Sequence, residues 1–352
     1  MGYHIILSRL FDLESINKEA GLDKRPNHVV WNIGKSLNAK IHQPGNDIPS
    51  ALDKICAKIF GTPELWALLR RLSFELTSKD IVFCIGEDTG FLLSFLCPDP
   101  KKRPKLIVGI SDIQHKKILL AYHLFRAGKR TDIFVPNTTT KANYLTNNLG
   151  ISQEKVHILF AEPPIDLSFF RPGLVSTNKQ RTIIGSGGLE SRDYRTLAAA
   201  TSDMDLDVKI CAASPNATVL KRTFPDVIPA NMSSSYYDLV GLRQLYWDSD
   251  IVVVTLYENT QEAGFTTMLE AMACGRPVIM TRKPGAIDEM IEAGCLTGVN
   301  VGDVEGLKKA IKDLLGNPEK AAIQAQRGYD FVVKHYNSQL YIDDVVDLMK
   351  TQ

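Results

Sequence analysis

Between Ile251 and Thr281 a strand, a glycine-bearing loop, a helix and a second strand follow one another almost without spacers. Ile251–Leu256 is apolar but for Thr255. Thr267–Cys274 sets Met268, Leu269, Met272 and Ala273 on one helical face, Gly275-Arg276-Pro277 ends that helix, and Val278–Thr281 is apolar again. Strands joined through a helix pair in parallel, because only a crossover of that length returns the chain to the same end of the sheet. The alternation runs along the whole chain. Strands are expected near Tyr3–Leu7, Val29–Asn32, Ile81–Ile85, Leu106–Ile110, Asp132–Val135 and Val156–Leu159. In the second half they are expected near Arg181–Gly185, Asp207–Cys211, Val227–Pro229, Ile251–Leu256, Val278–Thr281 and Leu296–Val299, with helical patterns between. The fold class is α/β, with parallel sheets covered by helices on both faces.

The loop in the Ile251–Thr281 unit carries chemistry. Gly264 opens onto a helix N-terminus, where free backbone N–H groups and the helix dipole both favour an anion. Glu262 and Glu270 stand on either side of it. Carboxylates repel an anion but accept hydrogen bonds from hydroxyls, so the pattern suits a phosphate flanked by hydroxyl-rich groups, as in a nucleotide-sugar. The same residues admit a structural reading, in which Thr267 and Glu270 form a capping box and Glu262 is an exposed loop residue.

At 352 residues the chain is long for one core and comfortable for two. Pro163-Pro164, Pro172-Gly173 and the polar stretch Ser176–Gln180 place a boundary near 172, giving units 1–172 and 173–336. The net charge of +1 supplies no overall argument for nucleic acid or for an anionic membrane. The charge is uneven, with 23 Lys and Arg against 17 Asp and Glu in residues 1–171 and 18 against 23 in 172–352. A basic first half suits an anionic acceptor or a lipid surface, or is an ordinary solvated face. None of the six cysteines stands in a Cys-x-x-Cys pair, which fits reduced thiols and a cytoplasmic setting. The first strand begins almost at the N-terminus, so no leader is expected, and no apolar run reaches membrane-spanning length. Any membrane contact is expected to be peripheral, at the inner face.

Glu270-Ala-Met-Ala-Cys-Gly-Arg-Pro-Val278, with Glu262 before it and Asp248-Ser-Asp250-Ile-Val-Val-Val-Thr-Leu256 leading in, resembles the donor-site pattern of the retaining glycosyltransferases of family four. The resemblance extends to Thr131–Asn137 and to Lys155–Pro172. It implies the GT-B fold, two doubly wound Rossmann-like domains facing across a cleft, with the last helix, about 337–352, packing back on the first domain. It also implies that Glu262 meets the donor sugar, that Glu270 meets the ribose, and that backbone N–H groups of Phe265, Thr266 and Thr267 hold the diphosphate. The usual family form is Glu-Gly-Phe-Gly; Ala263-Gly264-Phe265 shifts the glycine by one.

Gly185-Ser-Gly187-Gly188-Leu-Glu190 follows the first strand of the second half. A dinucleotide fingerprint would need a third glycine at Glu190, so that reading fails. The family has an Arg and then a Lys here, both serving the diphosphate; the Arg position is Gly188, and Arg192 lies near the Lys position. His115 is a displaced candidate for the family's first-domain histidine, or a surface residue at a helix start. Glu87 and Asp88 follow the Ile81–Ile85 strand and could hold acceptor hydroxyls or cap the helix from Phe91. Asp112 could do the same or cap its own helix. The family's glycine-rich first loop is replaced by Leu10-Phe-Asp-Leu-Glu-Ser15, so the acceptor is not specified.

The resemblance therefore implies transfer of a hexose-type sugar from a nucleoside diphosphate sugar to a hydroxyl acceptor, with retention and with no cofactor or essential metal. Asp248-Ser-Asp250 precedes a strand rather than following one, so it reads as structural and not as a metal motif. Two alternatives share the architecture: a nucleotide-sugar epimerase, and a nucleotide-sugar-binding protein without turnover.

Overall fold

The computed structural model describes every residue except 1, 100, 160–162, 213–218, 259–262, 284 and 352. In chain order the elements of its first half are β1 (Tyr3–Ile6), α1 (Leu13–Gly21), α2 (Val29–Leu37), β2 (Lys40–His42), α3 (Ala51–Cys56), α4 (Pro63–Glu75), β3 (Ile81–Cys84), α5 (Glu87–Leu96), β4 (Lys105–Ile110), α6 (Lys116–Leu124), α7 (Ala127–Arg130), β5 (Ile133–Pro136) and α8 (Thr139–Asn147). The second half holds β6 (Ile183–Gly187), α9 (Tyr194–Thr201), β7 (Asp207–Cys211), β8 (Met232–Ser235), α10 (Leu239–Asp248), β9 (Ile251–Val254), α11 (Phe265–Ala273), β10 (Val278–Thr281), α12 (Ala286–Glu292), β11 (Thr297–Val299), α13 (Val304–Gly316), α14 (Pro318–His335) and α15 (Ser338–Lys350).

Two compact units divide the chain: Met1–Lys18, Asn27–Glu162 and Gln339–Gln352 form one, and Glu19–Pro26 with Pro163–Ser338 form the other. In the first, parallel strands lie in the order β2-β1-β3-β4-β5. Alternate residues of each strand serve opposite faces. Ile6, Val82, Leu106 and Phe134 pack with Leu68, Leu69 and Phe91, while Ile5, Phe83, Ile107 and Val135 pack with Ile33, Val345 and Met349. In the second unit the order is β11-β10-β9-β6-β7-β8, again parallel. Val252, Val254 and Met280 meet Met268, Leu269 and Met272 of α11; Ile184, Val208, Val253 and Ile279 meet Leu197, Leu307 and Ile311. Both sheets are doubly wound. The order reverses between β1 and β3 and between β6 and β9, and at such reversals successive crossovers leave in opposite directions, opening a crevice at the C-terminal ends of the strands.

The structure differs from expectation at four places. Val29–Asn32 is helical: Val30, Ile33, Gly34 and Leu37 are buried at helical spacing and Asn38 closes the helix in the left-handed conformation, so periodicity overrides the β-branched pair. The strand paired with β1 is instead Lys40–His42. Val156 makes only an isolated bridge to Phe134, and the strand expected at Val227–Pro229 lies at Met232–Ser235, an edge strand whose serines face solvent and carry no apolar alternation. The boundary falls before Pro163 rather than near 172, because Ile165, Phe169 and Phe170 are buried in the core of the second unit.

Residues 19–26 belong to the second unit through Asp23, which stands in the left-handed conformation at φ 58°. Its carboxylate accepts from Arg243 at 2.8 and 3.0 Å and from Arg171 at 3.1 and 2.9 Å. The Arg243 guanidinium is buried and stacks on Phe169 at 4.2 Å and Trp247 at 4.7 Å. Hydrogen bonds from these two guanidiniums hold the Asp23 carboxyl down at about 2, against an ordinary 3.8. A depressed carboxyl stabilises the fold above its unfolded value and ceases to do so as pH falls through the folded one. Asp23→Ala is expected to cost about 1–2 kcal/mol at neutral pH, discounted for the solvent at the carboxylate. Denaturant unfolding should show that cost shrinking as pH falls from 3.8 towards 2; a cost that stays constant over that range would remove the ion pair as its cause.

Candidate functional site

In the second unit the site forms at the reversal between β6 and β9. β6 ends at Gly187, and Gly188 follows with φ +86°, where an added Cβ would come within 2.6 Å of the Arg192 guanidinium. The loop after it is stitched to the end of β9. Asp193 N–H donates to the Thr255 carbonyl at 3.0 Å, Thr255 Oγ1 to the Asp193 carbonyl at 2.6 Å, and Tyr257 N–H to the Ser191 carbonyl at 2.9 Å. Tyr194 Oη donates to the Gly188 carbonyl at 2.6 Å. Arg192, between these contacts, is 3% exposed.

Arg192 Nε donates to the Gly187 carbonyl at 2.7 Å, Nη1 to the Glu190 carbonyl at 2.9 Å, and Nη2 to Thr267 Oγ1 at 3.0 Å. Among the described residues no carboxylate forms an ion pair with it. Burial accordingly pushes its pKa down. Thr267 sits in the first turn of α11, so a buried cation stands at the positive end of a helix dipole. That arrangement opposes folding and favours a bound anion.

α11 begins at Phe265, with Gly264 as N-cap at φ 83° and no side-chain cap. The capping-box reading is therefore corrected: Thr267 is inside the helix and its hydroxyl serves Arg192. Glycine is required at 264, since a Cβ there would stand 2.7 Å from Val254 Cγ1 at a left-handed φ. Phe265, Thr266 and Thr267 are first-turn residues, whose N–H groups have no intrahelical acceptor. Glu270, one turn on, accepts from Tyr246 Oη at 3.0 Å. It is half-buried, and desolvation pushes its carboxyl up to about 7, the Tyr246 hydrogen bond acting the other way. Glu262 lies outside the described residues. Asp248 and Asp250 are structural: Asp248 accepts from Ser176 N–H and Oγ, each at 2.7 Å, and Asp250 from Ile183 N–H at 2.8 Å and Lys179 Nζ at 2.7 Å.

In the first unit a cavity of about 490 Å³ opens at the reversal between β1 and β3. Ser8 and Arg9 after β1, Glu87 and Asp88 after β3, and Ser111 and Asp112 after β4 line it. α5 begins at Glu87 with Gly86 as N-cap, so neither acid caps a helix from Phe91. The Glu87 carboxylate is spent on the neighbouring loop, accepting from Ser111 N–H at 2.8 Å, Ser111 Oγ at 3.1 Å and Asp112 N–H at 2.6 Å. Asp88 accepts from Thr89 N–H at 2.8 Å and hydrogen-bonds with the Ser8 side chain, and burial raises its pKa; Asp112 lines the same cavity. Asp112 does not cap α6. His115 does, its Nδ1 accepting from Lys117 N–H at 3.3 Å, and it is exposed and outside the cavity lining. Tyr246 and Tyr194 escaped sequence reasoning, because each joins the site from a helix with no motif of its own.

Glu270 links the site to pH. Below its ordinary value of 4.5 both folded and unfolded chains hold its proton; between 4.5 and about 7 only the folded chain does, so stability falls as pH rises through that window. Glu270→Gln has no proton to lose. Its stability relative to wild type is expected to rise between pH 4.5 and about 7 by roughly 1–3 kcal/mol in denaturant unfolding. Parallel pH curves for the two proteins would refute a desolvated, proton-retaining Glu270.

Known proteins bear on both units. Residues 183–317 match the sequence model of the family described as Glycosyl transferases group 1. A comparison with curated sequences finds no match. Among solved structures, Anabaena HepE, crystallised with UDP and glucose, superposes over 100% of both chains with TM-score 0.69 and 13% identity. Sucrose-phosphate synthase from Thermosynechococcus elongatus covers 100% of this chain and 99% of its own, with TM-score 0.68 and 14% identity. The UDP-forming trehalose-phosphate synthase from Burkholderia vietnamiensis covers 100% and 99%, with TM-score 0.69 and 11% identity. The chain therefore has the GT-B fold, and its second sheet, with Arg192 and Glu270, lies within the stretch matched to Glycosyl transferases group 1.

Proposed function

We propose that the protein is a retaining glycosyltransferase that moves a hexose-type sugar from a nucleoside diphosphate sugar to a hydroxyl acceptor. The observation that carries this reading is the buried Arg192, without a carboxylate partner among the described residues, set against the first turn of α11. A diphosphate supplies the charge this arrangement favours, accepting from the guanidinium and from the N–H groups of Phe265, Thr266 and Thr267. Glu270, when ionised, accepts from the ribose hydroxyls. Glu262 is assigned to the sugar on the resemblance alone.

In the proposed reaction the bond between the anomeric carbon and the diphosphate oxygen breaks, and its electron pair leaves with the diphosphate. The acceptor oxygen bonds to the same face of that carbon and its proton passes to the departing diphosphate. The protein's main contribution is stabilising the charge that develops on the leaving group. The cavity of the first unit suits a hydroxyl acceptor, with Asp88 and Asp112 as carboxylates in its lining. No cofactor or metal is assigned a role.

The test is thermal unfolding with UDP, GDP, ADP and their sugar conjugates, without metal. At one hundred times its Kd a ligand stabilises by about 2.7 kcal/mol, roughly 5–10 °C for units of this size. One nucleotide should shift wild type and fail to shift Arg192→Gln. The ligand-free Tm of that variant should change little, since relief of the charge at the helix end offsets lost hydrogen bonds. Product release from the matching donor sugar should then depend on an added acceptor and fall by ~10²–10³ in Arg192→Gln. No shift with any nucleotide, or an equal shift in the variant, would overturn the reading.

A further inference from the structure

One face of the first unit is built inside out. In α3 and the turn that continues it, Leu52, Ile55 and Ile59 recur at helical spacing and are 71%, 58% and 60% exposed, while Asp53 on the same helix is 3% exposed. Asp53 is spent inward, accepting from Arg70 at 3.2 and 3.0 Å and forming a capping box with Ser50. A helix whose acid faces the protein and whose aliphatic residues face out is not arranged for contact with water alone.

The patch extends beyond this helix. Phe60 at the end of the turn, Phe95 of α5 and Phe125 after α6 meet in one ring cluster, with centroids 6.1 Å apart for Phe60–Phe125 and 4.9 Å for Phe95–Phe125. The exposed neighbours of these rings, Ile59 and Leu124, and the exposed Phe95 itself therefore stand around one spot. Leu120, one turn before Leu124 on α6, is also exposed. Cations surround them. Between Asp112 and Asp132 the chain carries five Lys and Arg and no acid. Lys116, Lys117, Arg126 and Lys129 among these are exposed, as are Lys54 and Lys58 beside Ile55 and Ile59. The exposed acids on the flanking segments, Glu64, Asp99 and Asp112, are outnumbered.

We propose that this face docks the protein on the surface of an anionic lipid bilayer, with the aliphatic side chains and Phe95 entering the headgroup–acyl boundary and the Lys and Arg side chains meeting headgroup phosphates. A bilayer supplies apolar depth and negative charge in one plane, the combination this patch complements. A second copy of the chain fits less well, because a symmetric interface would set these cations against themselves. Among the described residues no helix is long and apolar enough to cross a membrane, so the contact is peripheral.

The experiment is flotation of the full chain with phosphatidylcholine vesicles and with vesicles in which about one third of the lipid is phosphatidylglycerol. Binding should appear on the anionic vesicles only, weaken with salt, and fall roughly tenfold in Ile55→Ser/Ile59→Ser, which removes two partly inserted side chains. Those residues are exposed, so the variant should keep the wild-type Tm and any nucleotide-induced shift. Lys116→Glu/Lys117→Glu should weaken binding without touching the apolar face. Equal binding to neutral and anionic vesicles, no binding to either, or full binding by both variants would overturn the proposal. So would a concentration-dependent dimer that Ile55→Ser/Ile59→Ser converts to monomer, which would assign the face to a second copy.

Discussion

Parallel strands cannot be joined by tight turns, and most of this architecture follows from that constraint. Each connection must cross the sheet and return to the same edge, so every strand ends on one side and the loops that follow gather there. Where the winding reverses, two neighbouring loops diverge and leave space between them. Leu7–Arg9 and Ile85–Asp88 are such a pair in the first sheet; at the reversal of the second, Gly187–Arg192 and Thr255–Tyr257 are instead tied together by hydrogen bonds. The candidate site of each unit sits at its own reversal.

At its reversal the second unit accepts an electrostatic cost. A guanidinium removed from water and set against a helix N-terminus carries a desolvation cost, and its three hydrogen bonds to neutral acceptors offset that cost without an opposite charge. The glycines on either side of it, 188 and 264, leave no volume for a methyl group near its nitrogens. Backbone, charge and packing are all arranged around this one cation. Glu270 shows the same economy in reverse, as a carboxylate whose surroundings favour its proton and which a hydrogen-bonding ligand would draw towards ionisation.

What could be read in advance was whatever announces itself locally. The strands β6, β9 and β10 and helix α11 come from periodicity and from glycine and proline breaks, and the glycine loop opening on a helix, the candidate anion site, is visible before any coordinate is known. What could not be read depends on competition or on distance. Val29-Val30-Trp31 satisfies a strand preference that is overruled only because Ile33, Gly34 and Leu37 continue a helical face. Thr267 and Glu270 have capping-box spacing, yet Gly264 takes the cap earlier, since a left-handed glycine opens the helix before Thr267 can. Tyr246 reaches Glu270 from 24 positions away, and Asp23 reaches Arg243 from 220 away. No local pattern encodes such pairings, and the departure of Glu19–Pro26 from its neighbours is invisible for the same reason.

Neither unit is a continuous stretch of chain, and this bears on the order in which the protein is completed during synthesis. The core on one face of the first sheet includes Tyr341, Val345, Val346 and Met349 of α15, so it lacks part of its packing until α15 has left the ribosome. The second unit needs only residues 19–26, made early, and the stretch that ends at Ser338. The unit begun first is thus the last able to close. In the interval the apolar residues of β1 and β3 that α15 will cover are exposed to other nascent chains, the stage at which slow docking of α15 would leave the protein open to aggregation.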